Sequence, residues 1–255
     1  MSDIEIHIFP CRQDNYGILV HDPASGETTA IDTPDDQRIS EEAKAKGWTL
    51  TQIWNTHWHP DHTGGNLALK EEWNCVIIGP VGEQEKIPGL DRAVGENALV
   101  NLGTHEARVI DLPGHTAGHI AFHMPDDMVA FVGDTLFALG CGRLFEGSPD
   151  QMWDSLSKLK ALPEDTIIYC AHEYTQANAK FAVTIEPENQ ALKAYVKTVT
   201  ELRSANKPTV PTILSRELEA NPFLRADEPA LQAAMGHPGN DVETFAEIRR
   251  RKDNF

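Results

Sequence analysis

The sequence predicts an α/β domain over residues 1–174 followed by a small, mostly helical domain over residues 175–255. Two observations carry that reading. Through the first two-thirds of the chain, short apolar segments end in Gly, Asp or His, the texture of strands feeding loops. After Tyr174, apolar residues recur at helical spacing and prolines punctuate the segments between them.

Residues 4–9 alternate polar and apolar side chains as a strand does, and 17–21 and 28–32 continue in the same manner. Residues 52–56 form a strand that runs straight into a histidine-rich loop. Gly64 and Gly65 follow, and then 66–73 with helical character. Residues 76–78, 107–112, 121–124, 129–132 and 166–170 read as further strands. One helix has clear start signals: Ser148 as N-cap, Pro149 at the first helical position, and Gln151 completing a capping box. Trp153, Leu156 and Leu159 give it an apolar stripe, and Pro163 closes it. In the second domain Leu192, Val196, Val199 and Leu202 share one helical face within 189–204. Val242, Phe245 and Ile248 do the same before a basic run. Residues 30–33 and 131–135 both end an apolar strand in Asp-Thr, a weak internal echo.

A formal charge of −17 argues against a nucleic-acid partner, which would need a basic surface. No apolar run approaches the roughly 20 residues that cross a bilayer. Residues 1–10 lack the basic and apolar regions of a secretion signal, so a cytoplasmic protein is expected. Cys11, Cys75, Cys141 and Cys170 show no Cys-x-x-Cys spacing and are expected to be free, buried thiols in a reducing compartment. The run Arg249, Arg250, Arg251, Lys252 suits a helix C-terminus and suits an anion clamp equally well.

The chemistry concentrates between Thr56 and Thr63, where His57, His59, Asp61 and His62 fall within six residues. A core gains little from such groups, whereas divalent cations favour a mixed nitrogen/oxygen set. His115, Asp134 and His172 each follow a predicted strand, and loops beyond strand ends in open α/β sheets converge at one edge. Seven donors exceed what one four-coordinate ion needs, so two divalent metals are expected. His57 and His59, two apart in an extended segment, project to the same side and pair with His115 on the first ion. Pro60 turns the chain so that Asp61 and His62 join His172 on a second, with Asp134 shared. Either His115 or His119 could be the ligand, and the turn after the strand favours His115. His7, His21, His105, His123 and His237 lack such a setting and read as non-ligands.

The stretch from Thr56 to His62, Pro113-Gly114-His115-Thr116, Gly133-Asp134-Thr135 and Ala171-His172-Glu173-Tyr174 together resemble the metallo-β-lactamase superfamily motifs, in order. Residues 140–147, 172–175, 221–225 and 251–255 resemble the glyoxalase II (hydroxyacylglutathione hydrolase) family more closely. That resemblance spans essentially the whole chain. It implies an αββα sandwich with a binuclear centre and a C-terminal helical domain that helps hold glutathione. Zinc is the first expectation for the metals, with iron and manganese also suited. It further implies a monomer free of membrane and nucleic acid, with Arg143, Phe145, Tyr174, Arg249 and Lys252 around the substrate. Two departures stand out: Trp58 replaces a histidine found in many relatives, and Arg143 and Phe145 stand where some have lysine and tyrosine. Loss of a phenolic hydroxyl removes one hydrogen bond of about 0.5–1.5 kcal/mol.

The implied reaction is hydrolysis of S-D-lactoylglutathione and related 2-hydroxyacyl thioesters, part of methylglyoxal detoxification. In it Asp61 and Asp134 help hold a metal-bridging hydroxide that attacks the carbonyl. Other superfamily activities fit less well. A common two-zinc β-lactamase would carry a cysteine ligand near position 134, and a nuclease an added basic domain. A persulfide dioxygenase would use one iron and lack the long helical appendage. A non-catalytic metal-binding module would bind metal without turnover.

Overall fold

In the computed structural model, which describes residues 3–255, the chain forms two compact units. Among the described residues, those up to 111 with 116–133 make the first, and 112–115 with 134–255 the second.

The first unit begins with three antiparallel strands, Glu5–Cys11 (β1), Asn15–His21 (β2) and Glu27–Ile31 (β3). The next link changes direction. A helix, Asp36–Lys46 (α1), returns the chain so that Thr49–Trp54 (β4) lies parallel to β3. A parallel pair needs such a crossover because a tight turn cannot make it. A single turn, Pro60–Thr63 (α2), and Asn66–Trp73 (α3) lead to Val76–Pro80 (β5), and Arg92–Val94 (β6) extends the parallel half. The sheet order is β1-β2-β3-β4-β5-β6.

The second sheet is an antiparallel meander: Leu99–Leu102 (β7), His105–Asp111 (β8), Ile120–Met124 (β9) and Val129–Gly133 (β10). Trp54 from the first sheet packs on Phe122 from the second, ring centroids 5.0 Å apart and both fully buried. Gln52 donates to the Asn101 carbonyl across the same divide at 3.0 Å. These two apolar faces are the layered sheets that the resemblance implied.

The second unit contains a buried hairpin, Leu136–Phe137 (β11) and Gly140–Cys141 (β12), and then Pro149–Lys160 (α4). The capping box at α4 is present in both directions, Gln151 N to Ser148 Oγ and Ser148 N to Gln151 Oε1. Trp153, Leu156 and Leu159 are buried, as their spacing predicts. Ser155 on that face donates to the Pro113 carbonyl at 2.7 Å, which fixes the segment carrying His115. Ile167–Cys170 (β13) pairs antiparallel with Thr212–Ile213 (β14). Helices Thr175–Ile185 (α5), Gln190–Ser204 (α6), Leu214–Ala220 (α7), Pro229–Met235 (α8) and Asp241–Asp253 (α9) make up the rest. The Phe181–Phe223 and Phe223–Phe245 contacts join α5 and α9 through the loop after α7.

Helix α1 is absent from the sequence reading because little of it is apolar: Ile39 and Ala43 alone supply its buried hydrophobic side chains. Its signals are terminal, with Asp35 accepting from Arg38 N and Gly47 in the left-handed region closing the C-terminus. All four cysteines are free and buried, as expected. Replacing Ser148 with alanine removes the α4 cap and is expected to cost about 1 kcal/mol. Urea unfolding should show a lower midpoint with an unchanged slope.

Candidate metal centre

Strand partners Ile31 and Trp54 end together, which places Asp32 beside the residues that follow β4. Asp32 N donates to Trp54 O at 3.0 Å, and the carboxylate then accepts three hydrogen bonds. Thr56 N reaches Oδ1, while Thr56 Oγ1 and His62 Nδ1 reach Oδ2, each at 2.8 Å. Asp32 holds φ +57, a left-handed conformation that Asp tolerates better than most side chains.

Beyond β4 the chain bends at Thr56 and His57 rather than staying extended, and Pro60 opens the turn α2. His57 Nε2 lies 3.0 Å from His59 Nδ1, and His62 Nε2 lies 3.5 Å from Asp61 Oδ2. The two pairs of donors predicted by the spacing are therefore each brought together. His57 Nδ1 is held by Thr56 Oγ1 at 3.0 Å, so both buried imidazoles are oriented from behind through Nδ1. Asn15 donates to Asp61 Oδ2 at 3.1 Å. His119 stacks on His57 with centroids 4.7 Å apart. Trp58 turns to pack on the core cluster, with Lys86 4.6 Å above its ring.

In the second unit Asp134 stands between two histidines. Its Oδ2 is 3.3 Å from His115 Nε2 and its Oδ1 3.4 Å from His172 Nε2. His115 Nδ1 donates to the Arg143 carbonyl at 2.9 Å. With Nδ1 protonated, the Nε2 lone pair faces Asp134. Gly142 approaches so closely that an added Cβ would lie 2.0 Å from Asp134 O. Tyr174 stacks flat on His172 with centroids 4.6 Å apart, and Phe137 meets both rings edge-on.

Imidazole nitrogens with fixed tautomers, set beside carboxylate oxygens in buried surroundings, suit a borderline divalent cation. Asp32, His57 and His62 also converge within 4.8 Å. Asp32, however, already accepts three protein hydrogen bonds and serves to orient.

The expected substrate contacts lie in different settings. Phe145 is 62% exposed and edge-on to His115 at 5.3 Å, an aromatic surface open to a ligand. Arg249 is 5% exposed, and its guanidinium bonds Cys141 O at 3.0 Å and Asp253 Oδ1 at 2.8 Å. Arg250 and Arg251 pair with Glu247. Lys252 sits 5.1 Å from the Phe181 ring centroid and 5.5 Å from that of Phe255. Burial, with Arg249 and Arg143 nearby, lowers its pKa to about 8. The sequence reading missed Asp32, Asn15 and Glu83. Glu83 accepts from Trp58 N and Gly118 N and so fixes the loop around His57. Only Asp32 left a trace in the sequence, as the first half of the Asp-Thr echo.

Comparison with known proteins supplies the lineage. Residues 16–172 match the metallo-beta-lactamase superfamily model, and 173–255 match the model described as hydroxyacylglutathione hydrolase C-terminus. The chain is 63% identical to a hydroxyacylglutathione hydrolase of Hyphomonas neptunium, covering 99% of this chain and 98% of that one. It is 60% identical to one of Erythrobacter litoralis, covering 99% and 100%. Among solved structures, ETHE1 from Myxococcus xanthus matches with TM-score 0.71 and 23% identity over 96% of this chain and 90% of that one, a likeness of fold. Whole-length identity of this order, with both models tiling one chain, places the protein in the hydroxyacylglutathione hydrolase family of the metallo-β-lactamase superfamily.

Proposed function

We propose that this thioester hydrolase converts S-D-lactoylglutathione and related 2-hydroxyacylglutathione thioesters to the hydroxy acid and glutathione. The observation that carries this reading is the match over 173–255 to the C-terminus of hydroxyacylglutathione hydrolases, alongside full-length relatives of that name. Two divalent cations would be held, zinc first among those the donors suit. His57, His59 and His115 would form one ligand set and Asp61, His62 and His172 the other, with Asp134 shared. When bound, such a pair supplies Lewis acidity to the thioester carbonyl and brings the pKa of a water toward neutrality.

The chain's own residues do the rest. Asp32 and the Arg143 carbonyl keep Nδ1 of His62 and His115 protonated and turn Nε2 forward. The departing thiolate has a solution pKa of about 8.5, so no general acid is needed to release it. Burial raises the Cys141 thiol to about 11, which fits a structural role for it. Arg143 and Lys252 would receive glutathione carboxylates, and Arg249 would hold the Cys141 backbone from behind. Local cations also offset repulsion between a dianionic peptide and a chain of charge −17. A monomer in the cytoplasm completes the reading, since buried free thiols suit a reducing compartment.

Purified protein should hydrolyse S-D-lactoylglutathione, followed by loss of thioester absorbance, and elemental analysis should find about two metals per chain. Chelation should abolish turnover. One iron per chain with oxygen consumption would replace the hydrolase reading by a dioxygenase one. Asp32→Ala should weaken metal affinity by about 10- to 100-fold in a chelator competition, with far-UV circular dichroism unchanged. Lys252 is cationic below about pH 8 and neutral above it. KM for the glutathione thioester should therefore rise as pH passes through that value. About 1 kcal/mol for a half-exposed charge pair corresponds to roughly fivefold, and Lys252→Met should flatten that step.

A further inference from the structure

The buried hairpin β11–β12 is held from outside by side chains. Its own ladder pairs only Leu136 with Cys141 and Phe137 with Gly140. Asn221 donates to Phe137 O and Gly140 O at 3.1 Å, and Asn178 donates to Ala138 O at 3.1 Å. Leu139 N donates to Glu217 Oε2 at 2.8 Å, and Arg249 donates to Cys141 O. Gly140 permits the approach, because a Cβ there would come within 2.4 Å of Asn178 Nδ2. Each backbone residue from 137 to 141 is thus bonded to a side chain on or bordering α5, α7 or α9.

Glu217 is the unexpected member. It is fully buried, and its carboxylate accepts from Leu139 N, Asn221 Nδ2, Tyr195 OH and Thr212 Oγ1. Burial pushes its carboxyl pKa up while those donors pull it back. The plainer reading is a satisfied core acid. Two facts weigh against that alone. Leu139, the residue it grips, has φ +57, a conformation costly for a leucine and sustained only where neighbours fix it. The hairpin also leads directly into Arg143, and its Phe137 packs against His172 and Tyr174.

We propose that Glu217, with Asn178 and Asn221, is a positioning residue that fixes the Leu136–Cys141 turn and thereby sets the Arg143 side chain against the peptide portion of the substrate. The candidate ligand His115 is also held on its own segment, since Ser155 Oγ donates to Pro113 O and Phe145 N to His115 O, and the turn reaches it only through the Arg143 carbonyl that accepts from its Nδ1. Loosening the turn should therefore cost substrate binding more than turnover. The inference rests on the glutathione-thioester reading above, but one arm of its test does not.

Glu217→Ala should raise KM for S-D-lactoylglutathione at least tenfold with kcat within threefold. The lactoyl thioester of N-acetylcysteamine, which lacks the glutathione carboxylates, should change by less than threefold. Glu217→Gln keeps an acceptor for Leu139 N and Asn221 and offers its NH2 to the two hydroxyls, so it should restore KM to within threefold of wild type. Hydrogen exchange over residues 136–143 should quicken about tenfold in Glu217→Ala and stay near wild type in Glu217→Gln. If Glu217→Ala does not fold, Asn178→Ala should show the same split with a KM rise of about threefold. Wild-type exchange in a folded alanine variant, or an equal loss of kcat on both thioesters with KM intact, overturns the proposal. If wild-type protein fails to cleave either thioester, the functional reading falls and the exchange arm still judges the clamp.

Discussion

One carboxylate orients the candidate metal ligands of the first unit. Asp32 terminates β3 and, through three hydrogen bonds, sets both Thr56 and the Nδ1 edge of His62. Thr56 in turn holds His57. Without an acceptor there, His62 could flip or change tautomer, and the Thr56 N–H would be buried without its partner, a penalty of about 1–3 kcal/mol. The parallel pairing of β3 with β4 makes the contact possible, because it brings two strand ends to the same edge. Topology, hydrogen bonding and ligand orientation are one constraint here. Gly133 extends it: a Cβ at that position would come within 2.5 Å of Thr56 Oγ1 and 2.7 Å of His119.

Legibility in the sequence followed the range of each interaction. The capping box at Ser148 and the His57–His62 cluster are local, written in adjacent letters, and both could be read directly. Asp32 lies 24 residues from the threonine it binds, and Glu217 lies 78 residues from Leu139. Neither has a local signature. A buried acid is an unusual choice for a core, but nothing in the letters marks which acid is buried. Short helices such as α7 and α8 were equally obscure, since seven residues span too few turns to display a stripe. The division of the chain shows a similar split. The family models meet between 172 and 173, near the change in texture at 174, whereas compact packing divides the chain at 111–116 and 133–134.

The basic run near the C-terminus shows why a charge count is not yet a function. Arg250 and Arg251 are spent on Glu247 of their own helix, the ordinary fate of an exposed helical cation, worth a few tenths of a kcal/mol. Arg249, one residue earlier, points inward and binds backbone, where its planar fork satisfies Cys141 and Asp253 together. Lys252, one turn further on from Arg249, lies beside two aromatic rings, and burial lowers its pKa to about 8. Helical geometry, with 100° between neighbours, divides four similar letters among three roles.

The cysteines argue for the same chemistry from the other direction. A nucleophilic thiol needs its pKa brought down by nearby positive charge or a helix N-terminus. Here burial drives Cys11 and Cys170 to about 12 and Cys75 and Cys141 to about 11. Even Arg249, 3.7 Å from the Cys141 sulfur, does not reverse the desolvation. At neutral pH only about one Cys141 thiol in ten thousand would be ionised, on the scale where one pKa unit is a factor of ten. A covalent acyl-cysteine route would start from that deficit. An attack by water needs no such group, and the thioester's own leaving group is good enough to depart unaided. What remains for the protein is to hold its imidazoles, carboxylates and cationic side chains in place, as Asp32 does for His62 and the Arg143 carbonyl does for His115.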